Sequence, residues 1–425
     1  MRRLAVALSA LVVTAASLAS CGDDDVAVDE PVVRIFAPYR GAEADLFMAG
    51  LEDWADAEGI DIRYTGSADF VSDLEYQVFE VLSPPDIALV PQPGVVEEMF
   101  REGRVVAVPE TAEVLISQNY DDEALDLGRF DGTLVGFPYR ANVKSLVWYR
   151  PGILTDLGLA IPGTMNELRA LVEEIEALGL APWCLGIEAQ RATGWPGTDW
   201  VEDLILRRAG ADVYADWVNG VVPFRDERIA DAFAEFRALV LQPGRVAGGV
   251  SAVLSTNTQA SDDPLFTDPI GCVLFKQASF AYGWMPPGLE LGPEGDIDFF
   301  VLPAVEPGVT PPVVAGADLA VAFNDRPEVT AVLARLATPE AGQPWAEGGS
   351  YVSPRSSVDS ASYYQPVDRA IVDVILEAET LTFDGSDSMP AEIGTDLFWR
   401  GITAWISGQI TYDQLAATLD QARQN

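Results

Sequence analysis

The feature that most constrains this chain is an alternation of two hydrophobic periods from residue 32 to residue 102. Residues 32–36 form a short apolar strand, and 60–64 alternate as a second. Between them, 41–59 has a helical period, with Phe47, Leu51, Trp54 and Ala55 on one face. Phe70, Leu74, Val78 and Val81 mark the next helical stripe, which Pro84 and Pro85 stop. Residues 86–90 read as a buried strand and 94–102 as a short helix. This strand–helix order predicts a mostly parallel sheet covered by helices.

A second α/β region follows. Thr164 and Glu167 make a capping box for a helix carrying Leu168, Leu171, Val172, Ile175 and Leu178, which Gly179 ends. Residues 181–187 are strand-like. Asp199 is placed to cap a helix running to about Arg208, and another helix spans about 228–241. Residues 244–269 read as surface loop and 273–282 as a strand. Helices are expected at 391–407 and 411–423, the second capped by Thr411 and Gln414. At 425 residues, the chain is too long for one ordinary core and natural for two lobes.

The N-terminus carries Arg2 and Arg3, an apolar run over 4–18, and Leu18-Ala19-Ser20-Cys21. A basic start, an apolar stretch and small residues make a secretory signal. With Cys at the first mature position, the segment resembles the lipobox of bacterial lipoproteins. The expectation is a signal peptide over 1–20, lipid on Cys21, and an acidic tether over 21–30. The alternatives are an ordinary signal that ends at a Cys, or a membrane helix. The run falls short of the roughly 20 residues that span a bilayer. The domain would then be lipid-anchored on the extracytoplasmic side of the cell membrane, facing periplasm or cell surface.

Charge and composition exclude several chemistries. The net charge of −40 repels nucleic acid and anionic headgroups. The acids are spread along the chain, as on a solvated surface. With no histidine, Ser-His-Asp and Cys-His catalysis and His-based zinc sites are ruled out. The two lysines, Lys144 and Lys276, lie outside any GxxxxGK[ST] context, so there is no P-loop. No cofactor or metal is expected. If Cys21 carries lipid, Cys184 and Cys272 remain as a disulfide in an oxidising compartment; two buried free thiols are the alternative.

Several segments resemble the extracellular solute-binding proteins of carbohydrate ABC importers, family 1, and within it the maltose- and α-glucoside-binding branch. They are PPDIALVPQPG at 84–94, FDGTLVGFPYRANVKSLVWY at 130–149 and PWCLG at 182–186. ATGWPGTDWVED at 192–203, SFAYGW at 279–284 and FWRGITAWISGQIT at 398–411 add to them. The resemblance implies a two-lobed periplasmic-binding-protein-like α/β fold, each lobe a mostly parallel sheet flanked by helices. The lobes are discontinuous in sequence: 31–140 with 315–350 for the N-lobe, and 141–314 with 351–425 for the C-lobe. Crossings are expected near 140–142, 313–316 and 350–353. The implied function is capture of an α-glucoside or similar small oligosaccharide between the lobes, by a monomer that delivers it to the permease subunits.

Sugars present hydroxyls and flat C–H patches, so a site needs aromatic faces and polar side chains. By resemblance, Trp195, Trp284 and Trp399 would stack on sugar, while Trp405 belongs to the core. Asp69 is either a helix cap or a cleft carboxylate. Glu43, Gln92, Asp318 and Arg355 are further ligand candidates, each with a structural alternative. Arg140 reads as a hinge ion pair with a ligand role open. Residues 90–93 lack the extra aromatic that the family often carries there, which favours mono- or disaccharides over long dextrins. Two other readings compete. A surface glycoside hydrolase needs two carboxylates across the bond, but no hydrolase motif accompanies the acids. For a binding protein of another solute, the lack of His, the two Lys and the surplus of acids argue against a glycerol phosphodiester or iron. A polyamine would suit acidic walls, but the long C-terminal part and the many Trp look more like the sugar branch.

Overall fold

The computed structural model describes residues 31–355 and 363–424. The expected signal peptide, Cys21 and the tether lie outside them. Among the described residues, no helix is long and apolar enough to cross a membrane.

The strands in chain order are β1 (Val32–Ala37), β2 (Asp61–Gly66), β3 (Ile87–Val90), β4 (Arg129–Phe130), β5 (Thr133–Leu134) and β6 (Gly136–Val143). They continue as β7 (Leu146–Tyr149), β8 (Trp183–Cys184), β9 (Leu274–Lys276), β10 (Asp298–Val301), β11 (Val313–Ala322) and β12 (Leu381–Phe383). One sheet has the order β12-β11-β3-β1-β2, with β6 also on β11; the other runs β10-β7-β9-β8. In the first sheet, β1 is parallel to β2 and β3, as the sequence pattern predicts, and β12 is parallel to β11. The long β11 runs antiparallel to β3 and β6, so the sheet is mixed. The second sheet is mixed too, with β8 parallel to β9 and β7 antiparallel to both neighbours.

Every residue of β3 is buried, as expected of a strand covered on both faces. The chain passes from the first sheet to the second at Lys144 and Ser145, between β6 and β7. It returns between β10 and β11. The Ser145 hydroxyl fastens this crossing: it donates to Asp203 Oδ1 at 2.6 Å and accepts from Val314 N–H at 2.9 Å. A further antiparallel bridge joins Ala141 to Val352. In the second lobe a disulfide links Cys184 to Cys272 across a Cα separation of 5.4 Å.

Several elements differ from the sequence expectation. The helix expected over 41–59 is two helices, Ala42–Ala49 and Glu52–Glu58. The break falls at Gly50, where a Cβ would meet the Ala341 carbonyl oxygen at 2.0 Å. The stripe from Phe70 is α-helical only to Glu75 and π-helical over Tyr76–Glu80. The loop expected over 244–269 contains the helix Gly249–Ser255. The strand expected over 273–282 ends at Lys276, and a 3-10 turn, Ser279–Gly283, follows it. The helix assigned to a cap at Asp199 starts earlier, as Trp195–Ala209, on Gly194 at φ +118° with Pro196 in its first turn.

Candidate functional site

A cavity of about 1110 Å³ lies between the lobes and is lined from both. That volume lies just above the usual range of roughly 300–1,000 Å³ for small-molecule sites. Its floor in the first lobe is a charged network. Tyr39 donates its hydroxyl to Asp318 Oδ2 at 2.7 Å, and Arg140 Nη1 pairs with Glu43 Oε1 at 3.1 Å. The register of β11 against β6 shifts between Asp318 and Leu319. The Arg140 guanidinium lies 4.5 Å from the Trp345 ring centre, and the side chain is buried. Burial raises the Asp318 carboxyl above its ordinary value, against the opposing effects of Arg140 and the Tyr39 hydrogen bond.

The opposite wall is aromatic. Trp195 begins its helix where Gly194 passes against helix Trp399–Ile406; a Cβ there would meet the Trp399 carbonyl oxygen at 2.2 Å. Phe280 lies 6.0 Å from Trp195 and 5.1 Å from Trp284, ring centre to ring centre. Trp399 also lines the cavity, although it is 4% exposed.

Beside Trp195 stands Lys144, whose Nζ is 5.7 Å from the ring centre. Lys144 Nζ meets Asp384 Oδ2 at 2.5 Å, Asp387 Oδ2 at 3.2 Å and Asp199 Oδ1 at 3.3 Å. Burial works against the ammonium, but the three carboxylates outweigh it and hold Lys144 protonated. Burial pushes Asp387 up to about 7, with Asp384 adding to the effect and Lys144 opposing it. The second lysine, Lys276, pairs with Asp203 at 2.8 Å deeper in the same lobe.

Among the described residues, four buried polar atoms on cavity-lining residues have no hydrogen-bond partner: Arg140 Nη2, Trp399 Nε1, Asn142 Oδ1 and Gln92 Oε1. Such atoms are costly to leave unpaired. Two are donors and two are acceptors.

Of the residues singled out from sequence, Trp195, Trp284, Trp399, Asp318, Asp69, Glu43 and Gln92 line this cavity. Arg355 does not. Its Nε donates to the Ala337 carbonyl at 2.9 Å, and Nη2 to that of Leu336 at 2.6 Å. Its Nη1 donates to the Tyr351 hydroxyl at 2.8 Å. The guanidinium thus serves the free carbonyls at the end of helix Pro327–Leu336. Asp199 is not a cap but a helix-interior partner of Lys144. Sequence reasoning missed Asn142, Phe280, Lys144 and Asp387 as lining residues. The first three lie inside segments that carried the resemblance. Asp387 is brought in by long-range folding, with no local signal.

Comparisons with known proteins agree with this architecture. Residues 41–343 match the family model described as bacterial extracellular solute-binding protein. The α-glucosides-binding periplasmic protein AglE of Rhizobium meliloti is 36% identical over 393 residues, covering 90% of this chain and 85% of that protein. The osmoprotective compounds-binding protein GgtB of Synechocystis is 36% identical over 405 residues, covering 94% and 95%. Among solved structures, a chitin oligosaccharide binding protein superposes with a TM-score of 0.79 at 15% identity, covering 93% of this chain and 98% of that one. Maltose-bound MalE3 of T. maritima gives 0.69 at 15% identity, covering 92% and 98%. At that identity these structures speak for the two-lobed fold alone. With the family model matched across most of its length, the chain belongs to the bacterial extracellular solute-binding proteins.

Proposed function

We propose that this protein is the extracytoplasmic sugar-binding component of an ABC importer. It captures a small α-glucoside or a comparable polyhydroxylated solute between its lobes and delivers it to the permease, without chemistry of its own. The observation that carries the reading is a cavity with an aromatic wall facing a polar floor that holds unpaired hydrogen-bonding atoms. Trp195 and Trp284 offer ring faces to sugar C–H patches, and Trp399 closes the wall. Asp318, Glu43, Gln92, Arg140 and Asn142 read hydroxyls from the floor. Of the two relatives, one is named for binding α-glucosides, which supports a sugar, and the other for binding osmoprotective compounds.

In this reading the N-lobe comprises 31–140 and 315–350, and the C-lobe 141–314 and 351–425, with β12 reaching back to pair with β11 in the first sheet. A signal peptide over 1–20 is removed, and lipid on Cys21 tethers a monomer through the acidic stretch 21–30 to the outer side of the cell membrane.

Thermal unfolding against maltose, sucrose, trehalose, a polyamine and a glycerol phosphodiester tests it, because a ligand of the native state raises the melting temperature. A rise with an α-glucoside supports the reading. A rise with the polyamine or phosphodiester alone contradicts the sugar assignment.

A further inference from the structure

We propose that Asp69 and the loop over 188–193 form a rim latch that sets how long a bound solute is retained. In this proposal Asp69 is a positioning residue, not a ligand contact. The proposal rests on the cleft being the solute site.

Asp69 precedes helix Phe70–Glu75 but makes no capping bond to it with its side chain. Ser67 Oγ accepts the Asp69 N–H instead, and itself donates to Asp73. The Asp69 carboxylate is therefore left to face the other lobe. There, Asp69 Oδ1 accepts the Arg191 backbone N–H at 3.3 Å. With the Gln190 amide nitrogen turned toward it, Gln190 donates at 2.6 Å to Oδ2 and 3.2 Å to Oδ1.

The loop that receives Asp69 is built in advance. Gln190 is a non-glycine residue at φ +54°, a conformation that persists only when its surroundings enforce it. Glu188 Oε1 accepts the Gln190 N–H at 2.8 Å, and Thr193 Oγ1 donates to the Gln190 carbonyl at 2.6 Å. Glu188 Oε2 accepts Asn257 Nδ2 at 2.8 Å, tying this loop to the one that carries Gln259. Arg40 reaches across the same rim, donating Nη2 to Gln259 Oε1 at 3.3 Å. Two points on one lobe thus meet a single braced platform on the other.

Parting the lobes must break these bonds with or without solute, so the latch holds part of the ligand-free population closed as well, while a solute entering the parted form meets none of them. The latch therefore acts on dissociation. No latch atom needs to touch solute, so its loss weakens every ligand by the same factor. A direct contact would instead discriminate between ligands.

Dissociation of maltose and of trehalose is measured by stopped flow for the protein, Asp69→Ala, Gln190→Ala and the double variant. The latch predicts dissociation faster by about three- to tenfold in each single variant, equal for both sugars. The double variant should be scarcely worse than either single one. Unchanged dissociation, a sugar-dependent change, or single effects that multiply in the double variant overturns it. Small-angle scattering of the ligand-free protein gives a readout without sugar. Asp69→Ala should increase the radius of gyration, and an unchanged radius overturns the latch even if no tested sugar binds.

Discussion

Lys144 Nζ lies 3.2 Å from Asp387 Oδ2, and that contact ties the crossing between the lobes to the segment after β12. Asp384 and Asp199 complete the cluster around the same ammonium. One cation thereby meets three carboxylates brought from two distant parts of the chain, beside the Trp195 ring.

Removing that charge leaves the carboxylates buried and uncompensated. Lys144→Met should destabilise the fold by on the order of 3–5 kcal/mol, read from urea unfolding. Lys144→Arg should not restore it, because a planar guanidinium cannot replace a compact ammonium among three acceptors. A wild-type midpoint in either variant would contradict this role.

The aromatic wall should contribute to binding through its faces. Trp195→Ala or Trp284→Ala should weaken α-glucoside binding by roughly tenfold each, about 1.4 kcal/mol, in calorimetric titration. Both rings are partly exposed, so melting should change little. Trp399 is buried, so Trp399→Ala should also lower stability, by about 3–5 kcal/mol.

Stability should rise on mild acidification. Burial lifts Asp368 to about 7, against the hydrogen bond from Ser350 N–H. Burial, with Glu98 and Asp396, lifts Glu75 to about 7. Asp387 behaves likewise. Each binds its proton more tightly folded than unfolded, so lowering pH from about 8 toward about 5 favours the fold. Asp86 and Asp203 run the other way. Burial opposes their charge, but Arg34 N–H, Asn324 and Arg326 outweigh it at Asp86, and Arg207 and Lys276 do so at Asp203. Their contribution is lost only below about pH 4. Urea midpoints should peak near pH 5, and Asp368→Asn should flatten the slope above it. Midpoints that climb steadily to pH 8 would contradict these shifts.

The Cys184–Cys272 bond closes a sequence separation of 88 residues. Cys272→Ser, or reduction, should cost about 4.6 kcal/mol in the chain-entropy account, visible as a lower melting temperature. Equal melting of the oxidised and reduced protein would show that the bond contributes nothing.

What the sequence made legible was local. The parallel strands around β1 and the helix capped by Thr164 follow from hydrophobic period and capping chemistry. So does the Thr411–Gln414 capping box of the last helix. Antiparallel β11 was not legible, because its partners β3 and β6 are chosen by long-range packing. The start of helix Trp195–Ala209 was misplaced because Asp199 has cap chemistry, yet Gly194 and Pro196 nucleate the helix ahead of it. In the site, resemblance led to the tryptophans and to the acids beside strand ends. Asp387 and the partnerless atom of Asn142 become meaningful only once the lobes come together. Arg355 misled for the same reason: its position by a crossing suggested the cleft, but the free carbonyls of a neighbouring helix claim its guanidinium.

The most direct test of the account is calorimetric titration of the purified protein with maltose, sucrose and trehalose, beside a polyamine as the acidic-cleft control. The account predicts one-to-one binding of at least one α-glucoside, weakened in Trp195→Ala, and none of the polyamine. Binding of the polyamine with no response to any of the sugars would contradict it.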